Sequence, residues 1–453
     1  MPQVSRMTQS LSHLAEALIH AATQHGADAA DAVTVSSDSL SVEVRNGALE
    51  QAERSEGTEI GLRVFVGQRS ASVSASDTRQ ETIETLAERA VAMARLAPED
   101  PHAGLADPDQ LAASTDAGAV DLVDEIEPDP KAREATALAG EAAAMAVPGV
   151  MQMDGASGNY GAMRFHMAAT NGFSAGYART SHSASAVAIS GEGLKMERDY
   201  AFDSRTHLAD MISAEEIGTL AGERAVALQN PSRPPTGAYP VLYDERVSGS
   251  LIGHLVQAIN GSAIARGASW LKDAMGEAVL PAGMDLVEEP HRARTSGSRP
   301  FDGEGLATAS WSLVTAGVLQ GWTLDLATAR KLGLSSTANA NRGVTGAPSP
   351  GLSNLRLTQG EQDRDALLRE MGTGLLVTSL IGSSVNSNTG DYSRGASGFW
   401  VENGEIVRPV NECTVAGNLR EMLMSLTAAN DARLHLSRVI PSLRVEGLTI
   451  AGS

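Results

Sequence analysis

Asparagine–glycine pairs between alternating segments constrain this chain most. In SVEVRNGALEQAE, Asn46-Gly47 separates two runs of alternating character. Both central residues of a tight hairpin turn need positive φ, which Asn and Gly adopt at little cost, so the pair predicts a β-hairpin. Asn171-Gly172 marks another turn, and Asn403-Gly404 in VENGEIV a second clear hairpin. GLRVFVGQRSASVSAS predicts one more, around Gly67.

Helices flank these hairpins. Leu11, Leu14, Leu18 and Ala22 give a helix near residues 8–25 its apolar face. Thr78-x-x-Glu81 reads as a capping box opening a helix to about Leu96, buried along Ile83, Leu86, Ala87, Ala90 and Val91. The first unit, residues 1–97, is therefore helix, four strands, helix. Residues 98–118 are rich in Pro, Asp and Gly and read as a linker. In the second unit, residues 119–232, an Ala-rich helix from about Lys131 to Ala146 stops before Pro148-Gly149. Strands follow, and Ser213-x-x-Glu216 caps a helix ending near Asn230. ERAVAM (Glu88–Met93) and ERAVAL (Glu223–Leu228) close the two units alike, which fits either duplication or chance between Ala-rich helices. A Pro-rich joint, Asn230 to Gly237, leads into a third unit over residues 233–453. The fold class is α+β: helix-flanked antiparallel units, then a larger mixed, β-rich C-terminal domain.

Composition narrows the function. A net charge of −20 repels phosphate backbones and argues against nucleic-acid binding. Aromatic residues are only 4%, so the cores must be built from Ala, Val, Leu and Ile. The single cysteine, Cys413, excludes an internal disulfide, a zinc ribbon and an iron–sulfur motif, and fits a reducing compartment. The first residues, MPQVSRMTQSLSHLAEAL, lack the apolar core of a secretory leader. Nor is there an apolar run of the ~20 residues that span a bilayer. A soluble, cytoplasmic protein is expected.

Several stretches carry chemistry-bearing residues. SGSLIGHLVQAING (Ser248–Gly261) puts His254 late in an amphipathic helix. A helix-borne metal site needs a second ligand on the same face and an acidic base. Four residues either side stand Ser250 and Ala258, so the residues alone favour a structural histidine. Ser269-x-x-Lys272 has the form of a serine acyl-transfer motif but lacks its companion elements, and a helix surface explains it as well. MGTGLLVTSLIG (Met371–Gly382) lacks the third glycine of a dinucleotide fingerprint; Gly372 and Gly374 fit a tight turn before a buried strand, Leu375 to Leu380. NSNTGDYSRGASGFWVENG (Asn386–Gly404) is either a plain loop before a hairpin or a loop that hydrogen-bonds an extended peptide. FDGEG (Phe301–Gly305) is a polar turn, or a loop whose acids hold a partner or orient a site.

Taken together, the hairpin-rich first unit, the Pro-rich joint, FDGEG, MGTGLLVTSLIG and NSNTGDYSRGASGFWVENGEIVRPV resemble the TldD/PmbA family of metallopeptidases, in its TldE (PmbA) branch. The likeness spans nearly the whole chain and is most specific from Gly372 to Pro409. The resemblance implies that catalytic members carry H-E-x-x-x-H on a helix and a further zinc-ligating cysteine near the C-terminus. Aligned on the shared I-G-H, His254 falls on the second histidine, Gly249 on the first, and Ser250 on the general-base glutamate. Glycine has no ligand, a serine hydroxyl is a poor base at neutral pH, and the chain from Asp431 onward has no cysteine. A catalytic zinc needs about three protein ligands and an open position. The stretch thus resembles the remnant of a zinc helix, and no cofactor is expected in this chain.

The resemblance further implies a heterodimer with a TldD-like catalytic subunit that supplies the zinc. Unfolded or small peptides would be the substrates, as in trimming of leader peptides or degradation of labile proteins. Candidate peptide or partner contacts are Phe301, Asp302 and Glu304, then Gly372, Thr373 and Gly374, then Asn386, Ser387, Tyr392 and Ser393. The alternatives are a peptide- or small-molecule-binding homo-oligomer without a protease role, and a hydrolase using Ser269 and Lys272.

Overall fold

The structure, a computed structural model, describes residues 2–452, with side chains from Leu11 onward. Its first half runs α1 (Pro2–Gln24), β1 (Ala29–Arg45), β2 (Ala48–Val66), β3 (Arg69–Ala75), α2 (Gln80–Leu96), α3 (Pro130–Ala146), β4 (Val150–Ala169), β5 (Ser174–Ser190), β6 (Glu197–Arg205) and α4 (Ala214–Ala227). The strands make one antiparallel sheet in the order β3-β2-β1-β4-β5-β6. Each half of it is helix, three strands, helix, and the first strands, β1 and β4, pair across the middle. Ala90 and Ala94 of α2 and Ala221 and Ala225 of α4 are fully buried. Ala90 and Ala225, the third residues of the ERAV likeness, thus seat the two closing helices at matching places, and each helix closes a helix–three strands–helix unit.

Two local expectations are corrected. The first unit has three strands, not four: ALEQAE and GLRVF belong to the single strand β2. Its residues 48–57 are exposed, so a polar stretch interrupts the apolar pattern while the backbone ladder with β1 continues. Thr78 is not an N-cap. The helix starts at Gln80 after Arg79, which makes no side-chain cap. Asp77 instead accepts from the Arg79 N–H and the Thr82 hydroxyl. The Ser213 box forms as read, with both reciprocal hydrogen bonds present.

The rest of the chain runs β7 (Gly237–Tyr243), α5 (Glu245–Ala258), α6 (Gly261–Ala265), β8 (Leu286–Glu288), β9 (Trp311–Thr315), β10 (Val318–Leu319), α7 (Leu326–Leu332), β11 (Ala340–Asn341), β12 (Ser349–Pro350) and β13 (Leu355–Leu357). It continues with α8 (Arg364–Met371), β14 (Gly374–Val385), β15 (Asp391–Glu402), β16 (Glu405–Asn418), α9 (Leu419–Met424), β17 (Thr427–Ala428), β18 (Arg438–Val439) and β19 (Leu443–Ala451). Strands β16-β15-β14-β7-β19 pair in that order, and β19 returns to β16, which closes a barrel. Closure leaves these strands no free edge. Leu251, Ile252 and Leu255 of α5 join Val241, Val377, Val415, Val445 and Ile450 in the main core.

The stretch from Asn386 to Gly404 is not a long loop. Only residues 386–390 link β14 to β15, and Asp391–Glu402 is strand. Along β15, Tyr392, Ala396, Gly398 and Trp400 are buried at period two. Small polar residues hide that alternation from a composition-based reading.

The two halves of the chain meet through aromatic and charged contacts. Phe301 sits against Phe173, Tyr177 and Phe165, with ring centroids 5.1, 5.5 and 6.3 Å away. Asp31 on β1 is held by Arg63 of β2 and by Arg342 of the third unit, the latter at 2.6 Å.

Candidate functional site

Strand β7 delivers the chain directly into α5. Asp244 caps that helix by accepting from the Arg246 N–H, and its own N–H donates to Val377 on β14. Ser248, Leu251, Ile252, Leu255 and Ala258 are buried and fix the helix rotation. Gly249, Ser250, Gly253 and His254 form the neighbouring, half-buried strip. A methyl added at Gly249 or Gly253 would meet no atom within 4 Å, so that strip borders open space.

His254 stands edge-on to Tyr392 of β15, with ring centroids 5.8 Å apart. Tyr243, at the end of β7, acts on Tyr392, and Arg394 acts on both phenols and on the imidazole. The Ser250 hydroxyl, both His254 ring nitrogens and the Tyr243 and Tyr392 hydroxyls are buried without a hydrogen bond of ordinary geometry. Burial, and then the Arg394 charge, lower the His254 pKa. Burial raises the Tyr243 phenol well above its usual value and raises Tyr392 as well. At neutral pH the cluster is thus a neutral imidazole, two phenols and a hydroxyl beside a guanidinium. Arg394 donates through Nε to the Gly382 carbonyl at 2.7 Å and has no acidic partner among the described residues.

Such a set does not fit a zinc ion. Among the described residues no three His, Cys, Asp or Glu side chains come together. Cys413 lies on β16, buried, donating to the Ala396 carbonyl at 3.2 Å; burial pushes its thiol up to about 11. A cysteine binds zinc as the thiolate, and a guanidinium beside His254 repels a divalent cation. Nor does the cluster hold a carboxylate that could serve as a general base.

The remaining candidates separate. Asp302 is buried and accepts from the N–H groups of Glu304, Leu306 and Ala340. Glu304 accepts from the Leu326 N–H at the start of α7. Phe301 and Asp302 are buried, and FDGEG packs between the two halves of this chain. Gly372 ends α8 at positive φ, and Gly374 passes close to β7, where a Cβ would lie 2.4 Å from the Pro240 carbonyl. Asn386 and Ser387 are exposed at the β14–β15 turn, whereas Tyr392 faces the core and Ser393 is half-buried. Ser269 donates to the Ala258 carbonyl and accepts from the Leu271 N–H, while Lys272 pairs with Asp273. Ser269 and Lys272 therefore make no dyad. Tyr243 and Arg394 carry no motif of their own in the sequence. Only the pairing of β7 with β14 and of β14 with β15 brings them to His254.

Three stretches match family descriptions. Residues 30–94 match PmbA/TldA metallopeptidase domain 1, residues 123–229 the central domain, and residues 236–452 the C-terminal domain. The chain belongs to the PmbA/TldD metallopeptidase family. Its place is in the PmbA (TldE) branch of that family. The metalloprotease PmbA of Escherichia coli O157:H7 is 36% identical over 430 residues, covering 94% of this chain and 92% of that protein. Among solved structures, a Bacteroides thetaiotaomicron protein described as a modulator of DNA gyrase superposes with a TM-score of 0.89 at 30% identity, covering 97% and 98% of the two chains. TldE from Thermococcus kodakarensis shares the fold, with a TM-score of 0.83 at 20% identity, covering 97% of this chain and 100% of that one. Within the PmbA/TldD family, then, this chain has the shared architecture with His254 facing phenols and a guanidinium.

Proposed function

We propose that this chain is the non-catalytic subunit of a TldD/TldE-type zinc metalloprotease. A TldD-like partner holds the zinc, this chain holds none, and the assembled pair cleaves unfolded or small peptides in the cytoplasm. The observation that carries the reading is the α5 strip. Gly249 and Ser250 stand where the family resemblance puts a ligand and a base, and Arg394 acts on the one remaining histidine. The existence of TldD-type relatives supports the partnership: a Haemophilus influenzae protein named as a metalloprotease TldD homolog is 24% identical over 48% of this chain. No helix among the described residues is long and apolar enough to cross a membrane, which is compatible with that location.

The exposed end of β14 is our candidate partner contact. Ile381 is 72% exposed there, next to the turn with Asn386 and Ser387, and a large apolar side chain so placed suits an interface. The test is size-exclusion chromatography of this chain mixed with the TldD-type protein of the same organism. A joint peak is expected for the wild-type chain and a loss of it for Ile381→Asp, with both chains melting alike. Separate elution of the wild-type chain from the partner would overturn the heterodimer.

A further inference from the structure

A second site lies between the sheet of the first half and the C-terminal segment. It is a cavity of about 220 Å³. Thr180 and Ser181 of β5, Ser204 and Arg205 of β6 and the following Thr206 form one wall. Arg294, Ser296 and the segment His435–Arg438 form the other. Three arginines, one histidine and six hydroxyl side chains line it, and no carboxylate does. In a chain with 55 acidic against 35 basic residues, such a lining is the opposite of the surface average.

The arginines are only partly engaged. Arg205 meets Asp203 through Nε, at 3.0 and 2.9 Å. Arg294 meets Asp121 through Nε at 2.7 Å and Asp210 through Nη1 at 3.2 Å. These contacts leave Nη donors on both side chains. Arg438 has no acidic partner among the described residues. The His435 Nε2 atom is buried without a hydrogen bond, 3.4 Å from Asp203. Burial lowers the His435 pKa first, and Arg205, Arg433 and Arg292 lower it further, while Asp203 opposes them.

We infer that this cavity binds a phosphate group, either free or as a small phosphate monoester. Guanidinium groups match phosphate oxygens in charge and geometry. The Thr180 and Thr206 hydroxyls are held by backbone carbonyls, which leaves the serine hydroxyls of the lining to add to the shell. The volume suits one such group rather than a nucleotide or a polymer. Because the two walls come from different halves of the chain, occupancy would clamp them together. The inference is independent of the heterodimer reading, since it concerns this chain alone.

The test is thermal melting of the purified full chain titrated with inorganic phosphate, against sodium chloride at matched ionic strength and against phosphoethanolamine as monoester. A saturable rise in Tm with phosphate, absent with chloride, is expected. Arg438→Gln should weaken apparent affinity roughly tenfold or more, the worth of one charge-assisted hydrogen bond, without changing the melt in chloride. The His435 imidazole resonance should shift with phosphate in the wild type. Phosphoethanolamine acting more strongly than phosphate would identify a monoester site, and the reverse a free-phosphate site. Equal effects of phosphate and chloride, or an unchanged affinity in Arg438→Gln with a silent His435 resonance, would overturn the inference.

Discussion

Glu304 shows how a single residue reports the packing around it. Its carboxyl is pushed up to about 8, by burial first and then by Asp302, with Asp325 adding to the effect. The ordinary value is 4.5. Between those two values the folded protein holds the proton more firmly than the unfolded chain does. The group's stabilising contribution is therefore full below 4.5 and is lost as pH rises through 8. Glu304→Gln keeps an acceptor for the Leu326 N–H and removes the charge. Thermal melts of the two proteins should nearly coincide at about pH 5, with the variant melting higher at about pH 8.5. Parallel curves across that range would show that the Glu304 environment is wrong. The sequence placed the two acids of FDGEG together but could not say that both point inward, because burial there is supplied by elements 20 or more residues away: Leu326 and Ala340.

At the scale of elements, turn chemistry was the most legible feature. Asn46-Gly47 and Asn403-Gly404 both adopt positive φ, as the hairpins require. The two glycines differ in surroundings. A Cβ on Gly47 would meet nothing within 4 Å, whereas one on Gly404 would lie 2.6 Å from the Arg369 Cα. Gly47→Ala should cost about 1 kcal/mol, from conformation alone. Gly404→Ala should cost about 3 kcal/mol, because overpacking adds to the strain. Urea unfolding of both variants checks the order, and equal losses would contradict it. Strands with exposed or small polar residues were the least legible. The exposed part of β2 and the Gly/Ser-rich β15 lack a strong apolar alternation, and their identity comes from pairing with β1, β14 and β16. The same non-local pairing hid Tyr243 and Arg394 from the reading of His254.

For the whole molecule, Asp31 is a joint between the halves. Asp31→Ala leaves Arg63 and Arg342 buried without a carboxylate, which should cost about 3–5 kcal/mol. All 4 tryptophans, at positions 270, 311, 322 and 400, lie in the third unit. Tryptophan fluorescence therefore follows that unit, whereas circular dichroism follows both. The two probes should give coincident denaturant transitions in the wild type and separated ones in Asp31→Ala; coincidence in the variant would mean that other contacts couple the halves. The family and the α+β architecture could be read from motifs spread along the chain, but the barrel and the shared sheet rest on pairings of β7 with β14 and β19 and of β1 with β4, more than 100 residues apart.

We propose that this chain keeps the family's architecture without its metal chemistry. Metal content and peptide cleavage, measured on the purified chain alone and mixed with its TldD-type partner, test that most directly. A zinc-free, inert chain that raises cleavage in the mixture above the partner's own rate is expected. Stoichiometric zinc in the single chain, or chelator-sensitive cleavage by it, would contradict that proposal and place the ligands away from Gly249, Ser250 and His254.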